Sequence, residues 1–218
     1  MTDLETPDDD ALRAEIDAEI RARHQRINPR VAGVILLIFS TISWVLALVL
    51  SIDKIRMLEN PGTHLGCDIN PFISCGSVMM TPEASIFGFP NMFLGLAGYA
   101  ILGTAGLLLA AGANLPRWFE RAILIGLVLA FGFVHFLIID AVFIIHMLCP
   151  NCLGVWAATA PMFFVYLAYS VNSGLVPAGG VIRRLTSHWI SLTVIWYALV
   201  LCLLFFGFLP SWLSMLGV

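Results

Sequence analysis

The chain has 218 residues, of which 60% are apolar and 11% are charged, and its formal net charge is −3. Soluble domains carry roughly 25% charged residues, so this composition excludes an ordinary soluble domain and indicates an integral membrane protein. No basic patch falls on a segment that would fold in water, which excludes a nucleic-acid-binding protein.

Residues 1–30 are predicted to form a cytoplasmic arm ahead of the first apolar run. An acidic run, 8–10, opens a helical stretch in which Leu12, Ile16 and Ile20 recur at every fourth position, and arginines gather towards its end. This polarity suits a helix dipole. Such a helix could lie on the membrane surface; we favour a plain cytoplasmic helix without a catalytic role.

Five apolar runs follow the arm, each near or above the roughly 20 residues that a helix needs to cross a bilayer. They lie at about 31–52, 87–112, 122–147, 153–172 and 189–209. The arm and the loops near 113–121 and 173–188 together hold nine Lys and Arg residues, against two (Lys54 and Arg56) on the other side. Because basic residues accumulate in cytoplasmic loops, the N-terminus is predicted to be cytoplasmic and the C-terminus outside. The sequence thus predicts an all-α membrane protein, with residues 31–218 as its membrane domain.

The outer loop, 53–86, is the only long loop on the outer side, and it contains several Asn-Pro and Thr-Pro turn signals. Long loops without a regular periodicity are usually functional or disordered. The apolar side chains of this loop predict that it packs as a lid on the membrane domain. They are Ile69, Phe72, Ile73, Val78, Met79 and Met80.

Four of the five cysteines fall on the side that this topology places outside, where bacteria maintain oxidising conditions. They form two groups, Cys67 with Cys75 in the outer loop and Cys149 with Cys152 before the fourth span, and three pairings among them stay open. Two pairs on one face would allow electrons to pass between them by thiolate attack on a disulfide. Cys202, in the middle of the fifth span, is predicted to be an inert apolar residue.

The segment Cys149-Pro150-Asn151-Cys152 carries the strongest chemical signal. A helix that begins here places both thiols on its first turn, where backbone N–H groups and the helix dipole favour a thiolate. Pro150 suits the first helical position, because its missing N–H costs nothing there. A redox motif is therefore predicted, and the alternatives are half of a zinc site or a structural disulfide.

Ionisable side chains inside a span are costly and indicate function by default. The third run carries His135, Asp140 and His146, at spacings that do not favour a metal site. His146 lies three residues before Cys149, which is about one helical turn. It either perturbs the Cys149 thiolate or sits at the membrane interface, and we favour the interfacial position. Along a helix Asp140 lies roughly 13 Å from Cys149, so we interpret it as a hydrogen-bonded partner within the bundle.

Trp156 lies four residues after Cys152, on the same helical face. Its indole could wall an apolar pocket for a ring and donate its N–H. The alternative is an ordinary tryptophan at the membrane interface.

The order of these elements resembles the vitamin K epoxide reductase (VKOR) family, in particular its bacterial, quinone-reducing branch. The resemblance covers about residues 31–209 and rests on Cys67-Asp68, Ser74-Cys75, the stretches 85–91 (SIFGFPN) and 146–152 (HMLCPNC), and the C-x-x-C that opens the fourth span. In DsbB-type oxidases the C-x-x-C lies in the first outer loop, so the order found here disfavours that family.

The resemblance implies a role for each of the four cysteines. Cys67 would meet a thioredoxin-like partner, and Cys75 would exchange with Cys149. Cys152 would face the quinone. Thr81 stands where the family has a Ser or Thr, and Trp156 stands where animal members have a ring-contacting Tyr. The predicted quinone contacts are Thr81, Asn91, His146 and Trp156.

We therefore predict a bundle of four membrane-spanning helices around a quinone, with a fifth helix packed outside. The protein would reoxidise a DsbA-like thioredoxin-fold protein, expected to be a separate chain because this one stops at Val218, and so drive disulfide formation in exported proteins. Electrons would pass to menaquinone or ubiquinone, with no metal, in the bacterial cytoplasmic membrane and with the active site on the exported face. The alternatives are a non-catalytic membrane scaffold with two structural disulfides and a four-thiolate zinc site.

Overall fold

The computed structural model of the chain describes residues 27–60, 65–70 and 72–209, and the single residues 12, 62 and 213. The helix predicted in the N-terminal arm lies outside the described residues, apart from Leu12 and residues 27–30.

Within the described residues the chain forms seven α-helices. They are α1 (Pro29–Glu59), α2 (Cys75–Met79), α3 (Met92–Ala110), α4 (Arg117–Asp140), α5 (Pro150–Asn172), α6 (Gly180–Ser187) and α7 (Trp189–Gly207). Five of these helices are long and apolar enough to cross a membrane, namely α1, α3, α4 with the turn that extends it, α5 and α7. The predicted all-α membrane fold is confirmed.

The helix ends follow from local chemistry. The Asn28 side chain accepts a hydrogen bond from the backbone N–H of Arg30 at 3.0 Å and so caps α1. Pro29 and Pro150 open α1 and α5, where a residue without an N–H group is tolerated. Gly112 turns the chain after α3 with φ at 81°, in the left-handed region that glycine adopts freely.

Helices α1, α3, α4 and α5 form a four-helix bundle around one apolar core. Each contributes buried side chains to this core, among them Leu36, Leu102, Leu127 and Tyr166. The central helix is α5, because 56% of its most apolar window is buried, whereas only 11% of the corresponding window of α7 is. Helix α7 therefore packs on the outside of the bundle, as predicted.

Two hydrogen bonds hold α7 to the bundle. The indole N–H of Trp196 donates to Nε2 of His135 at 2.9 Å, and the Tyr197 hydroxyl donates to the carbonyl oxygen of Ala157 at 2.7 Å. The other ring nitrogen of His135 lies 2.7 Å from the carbonyl oxygen of Phe131. Both ring nitrogens thus have partners, and His135 joins α4 to α7.

Helix α4 does not continue to Cys149. It ends at Asp140, and a single π-helical turn at Ala141–Ile145 leads to His146, whose φ of 54° is left-handed. A residue in this conformation ends a helix. The chain is therefore not helical between His146 and Cys149, so the rise of a helix does not give the separation of His146 or Asp140 from Cys149.

Candidate functional site

The chain between α1 and α3 is called the outer segment here. Main-chain hydrogen bonds join it to the residues before α5. The N–H of Ser74 donates to the carbonyl oxygen of Leu148 at 3.0 Å, and the N–H of Leu148 donates to the carbonyl oxygen of Phe72 at 2.8 Å. Ser74 immediately precedes Cys75, and Leu148 immediately precedes Cys149. These two bonds therefore bring the two cysteines side by side.

The Asp68 carboxylate organises the outer segment around this contact. It accepts hydrogen bonds from the N–H of Leu65 at 3.1 Å, the hydroxyl of Ser74 at 2.7 Å and the N–H of Gly76 at 3.0 Å. Hydrogen bonds to a charged acceptor are stronger than neutral ones. Asp68 thus fixes the shape of the loop that separates the two outer cysteines.

The outer segment covers one end of the bundle as a lid, which confirms the packing predicted for it. Met79 packs with Leu50 of α1 in an apolar cluster that includes cysteines from both groups. Lys54 of α1 donates to the carbonyl oxygen of Met79, the last residue of α2, at 2.8 Å. A cation is favourable at that helix end. Ile69 and Met80 are 68% and 69% exposed, so these two side chains of the predicted lid do not pack.

The four cysteines of the site meet beneath the lid. Cys67 and Cys75 form a disulfide, with their Cα atoms 5.7 Å apart, while Cys149 and Cys152 are free thiols. Sγ of Cys149 lies 3.3 Å from Sγ of Cys75. Cys75 and Cys149 are 0% and 2% exposed, whereas Cys67 is partly exposed. The buried free Cys149 thus contacts the buried cysteine of a disulfide whose other cysteine is partly exposed.

Cys149 is the N-cap residue of α5, and the N–H of Cys152 donates to its sulfur at 3.3 Å. The hydrogen bond from the Cys152 thiol is the largest influence on the pKa of Cys149, and the N–H groups of Cys152 and Asn151 act in the same direction. Burial and the charge of Asp68 oppose them, and the net effect is a pKa below the ordinary value of 9.0. A cysteine at a helix N-terminus with a lowered pKa is a typical redox-active thiol.

A cavity between the lid and the bundle opens onto the same two thiols. It has about 360 Å³ of empty space, including the part open to the surroundings. Six of its lining residues carry a polar or reactive group: Thr81, Glu83, Asp140, Cys149, Cys152 and Trp156. The others are aliphatic residues and a methionine. An apolar cavity with few polar groups is typical of a site for a hydrophobic small molecule.

Two of the four residues predicted to contact the quinone line this cavity. Trp156 forms part of its wall and is only 5% exposed, which is not the environment of a tryptophan anchored at the membrane interface. Thr81 also lines the cavity, and its hydroxyl donates to the carbonyl oxygen of Val78 at 2.9 Å.

The other two predicted contacts, Asn91 and His146, are not among the residues that line the cavity. The side-chain amide of Asn91 donates to the carbonyl oxygen of Glu83 at 2.7 Å, so Asn91 supports the wall from behind. His146 is exposed, and its Nδ1 lies 3.1 Å from the carbonyl oxygen of Ile144. The exposed position is consistent with the interfacial role that the sequence favoured.

Asp140 is a candidate functional residue, although the sequence favours a hydrogen-bonded partner within the bundle. It is 2% exposed and lines the cavity together with Cys149 and Cys152. The available signal was a carboxyl group inside a membrane span, which is costly without a function. Asp140 lies where α4 passes into the π-helical turn, a change of helix type that the sequence did not predict.

Cys202 lies on the exposed surface of α7 and does not line the cavity. Across the described part of the chain, no three His, Cys, Asp or Glu side chains are arranged to hold a metal ion.

A helical membrane bundle that brings a disulfide, two free thiols and an apolar cavity together defines a membrane thiol oxidoreductase. The family model described as "Vitamin K epoxide reductase family" matches residues 34–167, which is more than half of the chain and includes all four cysteines of the site. The chain therefore belongs to the vitamin K epoxide reductase family, whose members are in general quinone-linked thiol oxidoreductases. Among curated proteins, none matches the chain.

Proposed function

We propose that the protein is a thiol:quinone oxidoreductase that reoxidises a DsbA-like thioredoxin-fold protein and so drives disulfide formation in exported proteins. The observation that supports this most directly is the 3.3 Å contact between Sγ of Cys149 and Sγ of Cys75. Thiol–disulfide exchange proceeds by attack of a thiolate on a disulfide sulfur, so the two pairs must touch for electrons to pass.

Electrons would enter at the outer pair. A thiolate of the partner attacks the partly exposed Cys67 and releases Cys75 as a thiolate. The partner's second thiol then resolves the mixed disulfide, so the partner leaves oxidised and both outer cysteines are reduced. The full burial of Cys75 supports this order, because a protein partner cannot reach its sulfur.

Two further exchanges would move the electrons inwards. With the inner pair oxidised, the Cys75 thiolate attacks Cys149 and releases Cys152. Cys67 then attacks Cys75 and releases Cys149, which restores the outer disulfide and leaves an inner dithiol. The lowered pKa of Cys149 makes it a good leaving group in this second exchange. A Cys67–Cys75 disulfide beside two free inner thiols corresponds to the state after this transfer.

The inner pair would finally reduce a quinone in the cavity. A quinone accepts two electrons and two protons, and the oxidation of Cys149 and Cys152 to a disulfide releases both. The aliphatic walls suit an apolar ring, and Trp156 offers an aromatic face and an N–H donor. Menaquinone and ubiquinone both meet these requirements.

We place the protein in the bacterial cytoplasmic membrane, with the thiols on the exported face. Helix α1 begins at Pro29 and ends at the lid, so the thiols lie at the opposite end of the bundle from five described basic residues, Arg30, Arg117, Arg121, Arg183 and Arg184. An impermeant thiol reagent added to intact cells after reduction should label Cys67 but not position 114 of an Asn114→Cys variant, as read from the labelled peptides. Labelling at position 114 would contradict this orientation.

The alternative of a non-catalytic scaffold requires two inert disulfides. In the described residues only Cys67 and Cys75 are bonded, and the inner thiols stay free beside them. Electron transfer requires one bonded pair next to one free pair, whereas a scaffold held by two structural disulfides would have both pairs bonded.

Quinone reduction by the purified protein in lipid nanodiscs, with a reduced thioredoxin-fold protein as donor, tests the proposal. We expect the wild-type protein to reduce quinone and Cys152→Ala to be inactive, because without Cys152 the inner Cys149–Cys152 disulfide cannot form. Cys202→Ala is the matched control, since it removes a thiol outside the site, and should retain activity. Absence of reduction by the wild-type protein with both menaquinone and ubiquinone would contradict the proposed function.

A further inference from the structure

We infer that Asp140 is the acid that donates a proton to a carbonyl oxygen of the quinone and recovers a proton from the inner dithiol. This inference rests on the proposed function and adds a residue to it that is not one of the four predicted quinone contacts.

The position of Asp140 is the first observation behind this assignment. It is the last residue of α4, it is 2% exposed, and it lines the cavity into which Cys149 and Cys152 also face. The π-helical turn at Ala141–Ile145 follows it directly, and both ends of that turn line the same cavity. Such turns are rare and frequently occur at functional sites.

The second observation is an unsatisfied polar atom. Oδ1 of Asp140 is buried and, among the described residues, has no hydrogen-bond partner. Buried polar side-chain atoms nearly always have a partner, so an exception in the wall of a cavity points to a partner supplied by a ligand. The ligand that the proposed function places there, a quinone, has two carbonyl oxygens and no donor of its own. It would therefore pair with the protonated form of a carboxyl group.

The surroundings of Asp140 favour that protonated form. An ionised carboxylate in an apolar cavity is costly unless it is paired. Glu83, which lines the cavity from the lid, brings a second acidic group to the same space. Two negative charges sharing one apolar cavity repel each other, so the more deeply buried of the two acids is the one expected to keep its proton.

The other polar groups of the cavity are less suited to donate a proton. The hydroxyl hydrogen of Thr81 is already directed to the carbonyl oxygen of Val78. The indole N–H of Trp156 donates a hydrogen bond but does not give up its proton. Glu83 is only half-buried and belongs to the lid rather than to the bundle. Asp140 is therefore the polar group of the cavity best suited to donate a proton.

The step balances without any further reactant. Oxidation of Cys149 and Cys152 to a disulfide releases two electrons and two protons, and both electrons go to the quinone. Asp140 gives its proton to one quinone oxygen and is reprotonated by one of the two thiols. The proton of the other thiol goes to the second quinone oxygen. Asp140 is therefore protonated again at the end of the cycle. A general acid in this position contributes typically about 10²–10⁴-fold to a rate.

Rapid mixing of the prereduced protein with quinone in the absence of oxygen tests the inference. We expect Asp140→Asn, which keeps the size and polarity of the side chain, to slow quinone reduction by about 100-fold. Quinone binding, followed by the quenching of Trp156 fluorescence, should change by less than about threefold, because an amide still donates a hydrogen bond. The matched control is Asp53→Asn, which alters a buried carboxylate of α1 outside the cavity and should leave the rate unchanged.

Two readouts separate proton donation from a structural role. Infrared spectra of the wild-type protein should contain a protonated-carboxyl band that Asp140→Asn abolishes, and transfer between the cysteine pairs should stay at the wild-type rate in this variant. An absent band, an unchanged quinone rate, a larger effect of Glu83→Gln, or equal loss of both transfer steps would each overturn the inference. Wild-type protein that reduces no quinone would instead refute the proposed function on which the inference rests.

Discussion

The N–H of Ser74 donates a 3.0 Å hydrogen bond to the carbonyl oxygen of Leu148, and each of these residues is followed directly by a cysteine of the site. The contact between the two cysteine pairs is therefore set by the main chain of the lid. A side-chain change that loosens the lid should separate the pairs without removing any sulfur. Asp68, with three hydrogen bonds inside the lid, is the residue best placed for such a change.

We predict that Asp68→Ala slows electron transfer between the outer and inner pairs by about tenfold or more. Each hydrogen bond to a charged group contributes about 1.5–3 kcal/mol, and about 1.4 kcal/mol of lost alignment equals tenfold in rate. Rapid quenching with an alkylating reagent, followed by mass spectrometry of the cysteine peptides, measures the transfer. Glu59→Ala, an exposed acid at the end of α1, is the matched control. An unchanged transfer rate in Asp68→Ala would show that the lid does not align the cysteines.

Trapping of mixed disulfides should separate the roles of the outer cysteines. In Cys75→Ala, Cys67 is a free thiol that can attack the disulfide of an oxidised partner and release one of the partner's thiols. Without Cys75 the new Cys67–partner bond has no resolving thiol inside the chain, so this adduct should accumulate. The adduct is visible as a mass shift on non-reducing gels. Trapping through Cys75 in Cys67→Ala, with no adduct in Cys75→Ala, would reverse the two roles.

The same logic predicts a bond within the chain. In Cys152→Ala, Cys149 has lost its own resolving thiol and lies 3.3 Å from Cys75, so a Cys75–Cys149 disulfide should accumulate. Peptide mapping without reduction identifies it. Its absence under oxidising conditions would argue against direct exchange between the pairs.

The fold was largely predictable because the signal for a membrane-spanning helix is local. A run of about 20 apolar residues has few alternatives in a bilayer, so the long helices could be read from composition alone. The contact between the two cysteine pairs could not be predicted from local sequence. It depends on hydrogen bonds of Leu148 with Phe72 and Ser74, which lie far from Leu148 in the sequence. The four-cysteine resemblance indicated the exchange, and the main-chain contact supplies its physical reason.

The wall of the cavity was harder to predict than the thiols. Asp140 lines it at the point where α4 passes into a π-helical turn, and the chain then adopts a left-handed backbone at His146 rather than at a glycine. Glycine is the residue that usually indicates such an end, so no sequence signal marked this one. The geometry of an ideal helix therefore does not apply between these two residues and Cys149.

The lowered pKa of Cys149 predicts a pH dependence. Its largest cause is the hydrogen bond from the Cys152 thiol, so the Cys149 thiolate should form as the pH rises through a value below 9.0. Ultraviolet thiolate absorbance measures this titration in a Cys67→Ala, Cys75→Ala, Cys202→Ala background, in which Cys149 has no disulfide to attack. When Cys152→Ala is added to this background, the pKa of Cys149 should rise, because its main stabilising partner is removed. An identical titration in both proteins would mean that the α5 N-terminus alone sets this pKa.

The contribution of Trp156 to the cavity can be separated from its contribution to packing. Trp156 and Trp196 are both buried, at 5% and 8% exposed, and they belong to one apolar cluster, but only Trp156 lines the cavity. Aromatic contacts contribute about 0.5–1.5 kcal/mol beyond the area they bury, so Trp156→Ala should raise the KM for quinone by about threefold to tenfold. Thiol exchange with the partner uses the lid cysteines and should be slowed much less.

Trp196→Ala is the control for this prediction, because it removes an indole from the same cluster without altering the cavity wall. Either substitution opens a hole in the apolar cluster and should lower thermal stability, since Trp→Ala changes in protein interiors cost about 3–5 kcal/mol. Only Trp156→Ala should change the quinone KM, and steady-state kinetics at several quinone concentrations with the partner in excess measure it. If both variants raised the quinone KM equally, the effect would belong to the packing of α5 and α7, and Trp156 would not contact the ring.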